Sequence, residues 1–441
     1  MKRICDPFAY SDGPVEDSFW AETVPVSARS ALSGNVTTEV AIIGAGFTGL
    51  NAALKLAEAG VDVTVLDAKQ VGWGASGRNG GFCCLGGAKA SYQSLKRRFG
   101  ETALSDYMSA ERAAVDHVDG LLARFGWDVD RHSDGETMLA HNARAAAGFA
   151  QEAEELATLY KKPIDVIAKE DLADRGFGGG FYGAITTPIG FALNPRKYVS
   201  NLAQTAESVG ATVYGDTPVV ETNKQGGLWQ LTTPAGQVTA KKLVIATNGY
   251  SSESTPPWLA GRFLPAQSSV IVTRPISPEE QTAQGWTSRQ MSYDSRNLLH
   301  YFRLMPDNRF LFGMRGGLST SKRTSDQIKL RIRQHFERLF PAWAHIETPY
   351  YWSGFVCYSS GQTPFAGRVP GVDNLYAGFA YHGNGVAMGS YAGALIAQDI
   401  LQEPSLIHPD IMRTTPGRFP FGRFRRLAMY PGYLYYGLKD L

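Results

Sequence analysis

The order of apolar and polar residues after residue 38 predicts a strand, a tight turn and a helix in succession. Val40–Ile43 is a short apolar run of the kind that forms a buried strand. Apolar residues then recur at the spacing of one helix face, at Leu50, Ala53, Leu54 and Ala57. Gly60 stands where a glycine commonly ends a helix, and Val61–Leu66 predicts the second strand. Together these segments predict a βαβ unit.

Further along the chain, helical and strand patterns alternate in blocks. Three stretches predict helices, at residues 101–125, 143–160 and 195–210. Between residues 262 and 356 apolar and polar residues alternate, which predicts antiparallel strands. A strand followed by a helix of small residues returns at residues 375–401. Because strand–helix elements stand at both ends and in the middle of the chain, a second lobe must be inserted between them.

The composition is that of a folded protein with two lobes. Its 441 residues exceed the roughly 250–300 residues at which one hydrophobic core stops growing. The net charge of +2 gives no field for a polyanion, so nucleic acid is not expected as a partner. The four cysteines form no CxxC pair, which favours a cytoplasmic location. Neither a membrane span nor a metal site is predicted, because long apolar runs and tight histidine spacing are absent from the sequence.

A glycine-rich turn joins the first strand to the helix. Gly44-Ala-Gly46-Phe-Thr-Gly49 is a GxGxxG motif in the register that dinucleotide-binding proteins use. The first glycine permits the turn, the second admits a pyrophosphate to the backbone, and the third lets helix and strand pack closely. Asp67 ends the second strand, where a carboxylate accepts hydrogen bonds from ribose hydroxyls. The predicted dinucleotide contacts of this unit are Gly44, Gly46, Phe47, Thr48, Gly49 and Asp67.

Two other segments match the same glycine spacing. Gly178-x-Gly180-x-x-Gly183 follows a polar segment rather than an apolar strand, so we interpret it as a loop. The run Gly72–Gly81 directly follows the second strand and offers backbone amides beside the first nucleotide site. An ordinary loop is the alternative; we favour contact with the middle and flavin end of an extended cofactor. The candidate residues are Gly74, Ala75, Ser76, Arg78, Asn79 and Gly80.

Two downstream segments favour FAD over NAD as the cofactor. Leu243–Gly249 ends a predicted strand in small polar residues, as do the strands that flavoproteins run under the cofactor. Asn374–Val386 leads into a helix whose N-terminus can stabilise negative charge on a reduced flavin. A second strand–GxGxxG–helix unit for NAD(P)H is absent from the sequence, so we expect electrons from the organic substrate. The further cofactor candidates are Val219, Thr247, Asn248, Gly378, Gly383, Asn384, Gly385 and Val386.

These segments resemble the D-amino acid oxidase/glycine oxidase superfamily of FAD-dependent enzymes, and most closely its γ-glutamylputrescine oxidase branch. The resemblance covers nearly the whole chain, and Gly74–Gly81 and Trp352–Ala392 are its most specific segments. The other segments that carry it are Ser18–Trp20, Val40–Leu50, Val244–Tyr250 and Tyr301–Gly317. The resemblance implies an FAD domain built from separate pieces and a substrate domain with a large β-sheet over the flavin. It also implies oxidation of an amine to an imine that water hydrolyses.

The predicted fold is α/β, with a discontinuous Rossmann-like FAD-binding domain and an inserted α+β substrate domain built on a large, mostly antiparallel sheet. The predicted bounds are 1–38 for an N-terminal arm, 39–95, 190–250 and 355–411 for the FAD-binding domain, 96–189 and 251–354 for the substrate domain, and 412–441 for a C-terminal tail. The tail is basic and aromatic. We expect it to pack on the FAD domain, with weak contact to a membrane surface as the alternative.

Two departures from the family pattern limit what the resemblance implies about catalysis. The usual Tyr-Ser-Gly-His-Gly reads Tyr381-His382-Gly383-Asn384-Gly385 here, so a proton role of that histidine does not transfer position by position. Sarcosine oxidases carry a lysine over the flavin that promotes reaction with oxygen. The matching strand, Phe310–Arg315, has no lysine.

Tyr301, Arg303 and Arg315 are the predicted substrate-binding residues, since they lie on predicted strands of the second lobe and an arginine can bind a carboxylate through two hydrogen bonds. For each arginine, a surface ion pair is the alternative. The catalytic candidates are His382 and Tyr301. His382 is interpreted as a hydrogen-bonding group beside the flavin, a general base or a structural residue. Hydride transfer from a neutral amine rests mainly on alignment and needs no obligatory protein base.

Cys357 lies near the place where some sarcosine-oxidase relatives tether the flavin covalently. We favour non-covalent FAD, because the residues around Cys357 do not reproduce that context and a buried cysteine is common as a small apolar residue. The expected partners are an amine or amino acid substrate and either O2 or another electron acceptor. Three functions stay open from the sequence: an oxidase, a dehydrogenase that passes electrons to a quinone or carrier, and a flavin-binding protein without turnover.

Overall fold

The computed structural model describes residues 2–25, 27–317 and 319–440. In these ranges the α-helices are α1 (Phe19–Thr23), α2 (Phe47–Glu58), α3 (Tyr92–Phe99), α4 (Glu101–Phe125), α5 (Ala143–Ala147), α6 (Phe149–Tyr160), α7 (Pro195–Ser208), α8 (Pro278–Gln284), α9 (Lys322–Leu339), α10 (Ala387–Leu401), α11 (Asp410–Arg413) and α12 (Met429–Lys439). The strands are β1 (Val36–Ile43), β2 (Val63–Leu66), β3 (Phe82–Cys83), β4 (Glu136–Leu139), β5 (Asp165–Ile167), β6 (Ala184–Thr187), β7 (Phe191–Ala192), β8 (Thr212–Tyr214), β9 (Glu221–Gln225), β10 (Leu228–Thr233), β11 (Gly236–Ile245), β12 (Leu264–Val272), β13 (Met291–Asp294), β14 (His300–Leu304), β15 (Phe310–Arg315), β16 (Tyr350–Tyr358), β17 (Phe365–Arg368) and β18 (Leu375–Phe379).

The first sheet is built around parallel strands. Its main order is β17-β18-β11-β1-β2-β8, and β10 and β9 extend it from β11. β1 pairs in parallel with β2 on one side and with β11 on the other, so the chain runs through β1, α2 and β2 as the predicted βαβ unit requires. Because the next strand of the chain, β2, lies on one side of β1 and the later strand β11 on the other, a crevice opens at the carboxyl end of β1. This is the usual position of a dinucleotide in such sheets.

Helices α2, α4, α7 and α10 form one core with this sheet. α2 and α10 approach closely: a Cβ on Gly393 would lie 2.2 Å from the carbonyl oxygen of Thr48. α4 adds Tyr107, Ala110 and Val118 to the same core. The prediction placed residues 96–189 in the substrate domain. The packing of α4 differs from that division, because its buried stripe faces α10 rather than the second sheet.

The second sheet is large and mostly antiparallel, as predicted. Its order is β16-β12-β15-β14-β13-β4-β6-β5, and only the β13–β4 pairing is parallel among these described strands. One face carries an aromatic core under α9, built from Trp286, Phe302, Phe310, Phe336, Phe340 and Trp343. β16 pairs with β12 along its whole length, so the predicted boundary at residue 355 falls inside a strand. The other face of the sheet, together with the first sheet, encloses the cavity described below.

The C-terminal tail contacts both predicted lobes rather than the FAD domain alone. Arg425 is buried, donates to the carbonyl oxygen of Phe263 at 2.7 Å and forms an ion pair with Glu253. Ser360, in the predicted FAD domain, donates to the carbonyl oxygen of Gly417 at 2.8 Å. Phe421, Phe424, Leu427, Leu434 and Leu438 are each more than half exposed. In the described ranges, no helix is both long and apolar enough to cross a membrane.

Candidate active site

A cavity of about 570 Å³ runs from the carboxyl ends of β1 and β11 to the exposed face of the second sheet. Its volume is in the range of small-molecule and cofactor sites. The first sheet contributes the GxGxxG turn and the residues after β11, and the second sheet contributes residues of β12, β14, β15 and β16. The cavity therefore joins a nucleotide-binding crevice to a separate wall.

The glycines of the GxGxxG motif have three different roles in the structure. Gly44 has φ +108°, and a Cβ there would lie 2.8 Å from the carbonyl oxygen of Ala246. A Cβ on Gly49 would lie 1.9 Å from the carbonyl oxygen of Gly44, so Gly49 allows the turn to close and does not line the cavity. Gly46 does line the cavity and precedes α2, whose N-terminus has no cap from the Gly46 position. An uncapped N-terminus facing a cavity is suited to bind an anion.

The predicted ribose-binding carboxylate, Asp67, faces the cavity at the end of β2. It accepts hydrogen bonds from the backbone N–H groups of Ala45, at 2.7 Å, and Lys69, at 3.0 Å. Burial raises the pKa of Asp67, and these two N–H groups oppose the increase. A carboxylate has about four acceptor positions, so further donors can be bound. Val219, another predicted contact, lies on the same wall just before β9.

The second glycine run, Gly72–Gly81, lines the middle of the cavity, but its polar side chains bind mainly protein atoms. Ser76 Oγ accepts from the N–H of Phe47 at 2.9 Å and so fixes this loop against the start of α2. Arg78 is buried, donates to the carbonyl oxygens of Trp73 and Ser353, and its guanidinium lies 4.4 Å from the centre of the Trp73 ring. Asn79 holds the turn through Ala75, Ser76 and Gly81. These side chains shape the loop, and its glycines and backbone face the cavity.

Two C-terminal segments complete the cofactor side of the cavity. Asn248 accepts from the N–H of Ala380 at 2.9 Å, which joins the end of β11 to the turn after β18. Thr247, Gly383, Asn384, Gly385 and Val386 line the cavity ahead of α10, whose N-terminus also has no side-chain cap. Gly378 does not line it. A Cβ there would lie 2.8 Å from Cγ2 of Thr48, so Gly378 allows β18 to pack against α2.

The imidazole of His382 lies on the cavity wall with both ring nitrogens bound to backbone. Nδ1 donates to the carbonyl oxygen of Gly87 at 2.7 Å, and Nε2 accepts from the N–H of Ser359 at 3.3 Å. Burial lowers the pKa of His382 to about 4. The ring is therefore neutral and its acceptor nitrogen is occupied. This geometry opposes the general-base interpretation and favours a role in fixing the turn before α10.

Of the two predicted arginines, the structure brings only Arg315 to the cavity. Arg303 lies two residues beyond Tyr301 on the same face of β14, where Gly81 and Leu193 cover it. Its Nη2 donates to the carbonyl oxygen of Leu193 at 2.8 Å, and the residue is 1% exposed. The interpretation of Arg303 as a substrate contact is therefore corrected to that of a buried structural residue.

Arg315 and Tyr301 remain as wall residues. The Arg315 guanidinium lies over the Gly383 turn, where an added Cβ would be 2.1 Å from Nη2. In the described ranges, no carboxylate pairs with it and no side-chain hydrogen bond is formed. The Tyr301 ring lies against Gly313, and its hydroxyl is 3.0 Å from Oγ of Ser268. Arg315 thus offers an unpaired cation to a bound molecule, and burial raises the pKa of Tyr301, which keeps it protonated.

Several ionisable or polar wall residues were not predicted from the sequence, among them Glu136, Lys89 and Tyr293. Burial lowers the pKa of Lys89, and Arg315 lowers it further. Burial raises the pKa of Glu136 to about 8. The sequence around these residues gives little indication that they line a cavity. Glu136 begins a strand of only four residues, and Lys89 follows a glycine loop of no regular structure.

Cys357 lines the cavity from β16 and is 1% exposed. Burial raises the pKa of its thiol to about 12. A thiol with so high a pKa supplies almost no thiolate at neutral pH, and the thiolate is the nucleophilic form. The four cysteines are all free thiols in the structure.

The residues around the cavity fit an extended flavin dinucleotide. The fit rests on the two uncapped helix N-termini, on the carboxylate of Asp67 and on glycines at which a side chain would fill the cavity or its turns. The glycine loops lie between these ends, so the cradle is continuous from the crevice of the first sheet to the wall of the second.

Comparison with known proteins agrees with this fit. The DAO family model, described as FAD dependent oxidoreductase, matches residues 39–399. The chain is 30% identical over 432 residues to a probable oxidoreductase, OrdL, of Rhizobium meliloti (strain 1021), with 96% of this chain and 97% of the relative covered. It is 29% identical over 418 residues to the gamma-glutamylputrescine oxidoreductase of Escherichia coli (strain K12), with 93% and 94% covered.

The fold comparison agrees as well. The solved glycine oxidase of Geobacillus kaustophilus superimposes with a TM-score of 0.69 at 19% identity, covering 84% of this chain and 96% of that chain. The resemblance stated from the sequence and the prediction of FAD as the cofactor are both confirmed. The chain belongs to the DAO family of FAD-dependent oxidoreductases.

Proposed function

We propose that this protein oxidises the C–N bond of an amine or amino acid to an imine, which water then hydrolyses, and that O2 re-oxidises the flavin. One observation carries the proposal: the nucleotide cradle opens onto a wall with an unpaired Arg315 and several apolar side chains. The 29% identity to an oxidoreductase named for γ-glutamylputrescine, an amine, supports this substrate class. Bound FAD supplies the acceptor for the hydride that leaves the carbon next to nitrogen.

Particular residues are assigned to hold the cofactor. Asp67 binds the ribose hydroxyls, and the N-terminus of α2 with Gly46 binds the pyrophosphate. The loop Gly74–Gly80 contacts the middle of the cofactor. The N-terminus of α10, with Gly383 to Val386, lies at the flavin end, where its partial positive charge stabilises a negative ring. Attachment is non-covalent, in keeping with the inert thiol of Cys357.

The wall residues determine the protonation of the substrate. Only a neutral amine can release hydride, and a cavity lined by Phe82, Leu85 and Val270 with nearby cations disfavours an ammonium ion. Arg315 is placed to bind a substrate carboxylate. With His382 engaged by backbone and Tyr301 held protonated, the chain supplies alignment and exclusion of water rather than a base.

The experiment is an anaerobic screen of the purified flavoprotein with amines, amino acids and 2-hydroxy acids. Bleaching of the flavin absorption by amines or amino acids, and not by 2-hydroxy acids, is the expected result. Bleaching by hydroxy acids alone would contradict the proposed substrate class. A protein bleached by dithionite but by none of these compounds would be a flavin-binding protein without this activity.

A dehydrogenase with the same half-reaction is the second candidate, and it is favoured by the absence of a lysine from Phe310–Arg315. The oxidase is favoured by Lys89 and Arg315, whose positive charges on the cavity wall stabilise the negative charge that O2 gains on reduction. Mixing the bleached enzyme with air decides between them. Full recovery of colour within seconds indicates an oxidase, and recovery only with a quinone indicates a dehydrogenase.

The exposed apolar side chains of the tail support weak contact with a membrane surface. Phe421, Leu434 and Leu438 are each more than 60% exposed, and several arginines flank them. Aromatic and aliphatic side chains beside basic ones favour anionic lipid surfaces. Co-sedimentation with anionic vesicles that is lost at high salt is the expected result; equal recovery in the supernatant with and without vesicles would contradict it. The cytoplasmic location stays a prediction.

A further inference from the structure

The second sheet places a basic side chain, Arg315, and an acidic one, Glu136, far apart on the wall of the cavity. Tyr301 pairs with Gly313 on one side and with Tyr293 on the other, so a row of residues crosses the middle of this wall. Arg315 lies on β15 at one side. Glu136 lies on β4, three strands away in the order β15-β14-β13-β4, which is roughly 14 Å between backbones. Tyr293 and Tyr301 lie between these two side chains.

Glu136 faces the cavity with neither a cation nor a strong hydrogen-bond donor beside it among the described residues. Glu111, a buried acid that also lacks a cation, accepts hydrogen bonds from the hydroxyls of Tyr160 and Tyr92. Glu136 has no donor of that strength, and in the described ranges no lysine, arginine or histidine lies within ion-pair distance of it. Its carboxyl receives a hydrogen bond from the thiol of Cys84, a weak donor. A carboxylate removed from water without a cation is costly.

Because Glu136 lies on the cavity wall, a bound molecule can supply the cationic partner that the protein does not provide. Its side chain lines the cavity together with Tyr293, Cys84 and Leu85, so a bound molecule can reach it. Asn384, beside the N-terminus of α10, donates toward Cys84 at 3.5 Å and to the carbonyl oxygen of Leu85. These contacts hold the acidic corner in a fixed position relative to the flavin end of the cavity.

The geometry points to Glu136 as a cation-binding subsite that recognises a second positively charged group on the amine substrate. The inference rests on the proposed oxidation of amines and narrows the substrate class to an extended molecule with two nitrogen cations, one of which becomes neutral for oxidation. A diamine or a basic amino acid derivative has this chemistry. Where such a molecule also carries a carboxylate, Arg315 binds it at the opposite side.

The subsite is tested with a matched pair of ligands, 1,6-diaminohexane and hexylamine, which differ in the second ammonium group. Affinities are measured on the FAD-loaded protein from the change that each ligand causes in the flavin absorption. The diamine is expected to bind at least about tenfold more tightly than hexylamine to the natural protein. In Glu136→Gln its dissociation constant should rise about ten- to a hundredfold, since a charge-assisted bond is lost, while that of hexylamine changes less than about twofold.

The control variant is Asp134→Asn, which removes an exposed acid two residues from Glu136 and should leave both affinities unchanged. Equal loss for both ligands in Glu136→Gln, or no loss for either, would overturn the subsite. A slower flavin reduction by both amines at unchanged affinity would also overturn it, because Glu136 would then act as a base. Flavin content and thermal unfolding confirm that each variant is folded.

A second variant keeps the inference falsifiable where Glu136→Gln yields no flavoprotein. Glu136→Asp retains the charge but withdraws it by one methylene group, so the diamine alone should bind more weakly. If each ligand binds Glu136→Asp as tightly as it binds the natural protein, the proposed subsite is refuted. Because the titration needs no turnover, ligands that bind with this preference without bleaching the flavin would contradict the proposed oxidation and leave the subsite standing.

Discussion

Replacement of Gly46 by valine tests the assignment of the pyrophosphate site. A Cβ at Gly46 would lie 2.8 Å from Oγ of Ser76, which is shorter than an ordinary contact. Ser76 must therefore move, and the hydrogen bond that it accepts from the N–H of Phe47 at 2.9 Å is lost. In the absence of FAD the valine methyl groups extend into the cavity, so the cost appears when the cofactor binds.

The magnitude follows from the overpacking of the valine methyl groups against the bound pyrophosphate. Overpacking a close contact costs about 1–3 kcal/mol, which raises the dissociation constant of FAD roughly 5- to 150-fold. The hydrogen bond of Ser76, about 1 kcal/mol, is lost with and without the cofactor, so its loss lowers the stability of the apoprotein instead. The variant should be purified nearly colourless, and its cofactor-free form should unfold slightly below the natural apoprotein.

The assay is the ratio of flavin to protein absorption after purification, followed by titration with FAD. Gly120→Val is the matched control, because Gly120 lies in α4 away from the cavity lining and a Cβ there meets nothing within 4 Å. It should keep its yellow colour. A bright yellow Gly46→Val protein with normal flavin content would refute the assignment of this turn to the pyrophosphate.

Three further predictions concern other parts of the cavity. Asp67→Ala should weaken FAD binding by about 1.5–3 kcal/mol, since hydrogen bonds to an ionised acceptor are lost; unchanged affinity in a fluorescence titration would remove Asp67 from the ribose site. Acid precipitation should leave the yellow colour in the supernatant, and Cys357→Ser should keep its flavin; a yellow pellet that turns white in this variant would identify Cys357 as a tether. Arg315→Met should raise KM about tenfold or more for 6-aminohexanoate and little for hexylamine; equal changes would show that no carboxylate is read at Arg315.

The nucleotide side of the site was predictable because its chemistry is local. Gly44, Gly46 and Gly49 fall within one strand–turn–helix segment, and the position of Asp67 follows from the length of the helix and the second strand. Sequence spacing alone therefore brings these residues together. It does not separate Gly46, which lines the cavity, from Gly49, which permits the turn to close.

The residues on the substrate side of the cavity could not all be predicted, because they are brought together by contacts between strands that are far apart in the sequence. Tyr301 and Arg303 are two residues apart and so lie on the same face of β14, as the sequence predicts. Only the tertiary structure shows that Gly81 and Leu193 cover Arg303. Glu136 reaches the cavity through the parallel pairing of β4 with β13, more than 150 residues away. Alternation identifies a face of a strand, and long-range packing determines which part of that face stays open.

The pH dependence of anaerobic flavin reduction by an amine tests directly whether the hydride leaves a neutral amine. Hydride transfer requires the neutral form, so at subsaturating substrate the rate should fall about tenfold for each pH unit below the pKa of the amine. The neutral His382 and the protonated Tyr301 add no steep step of their own near neutral pH. A rate that stays flat from about pH 6 to 10, or a flavin that no amine or amino acid bleaches, would contradict hydride transfer from a neutral amine.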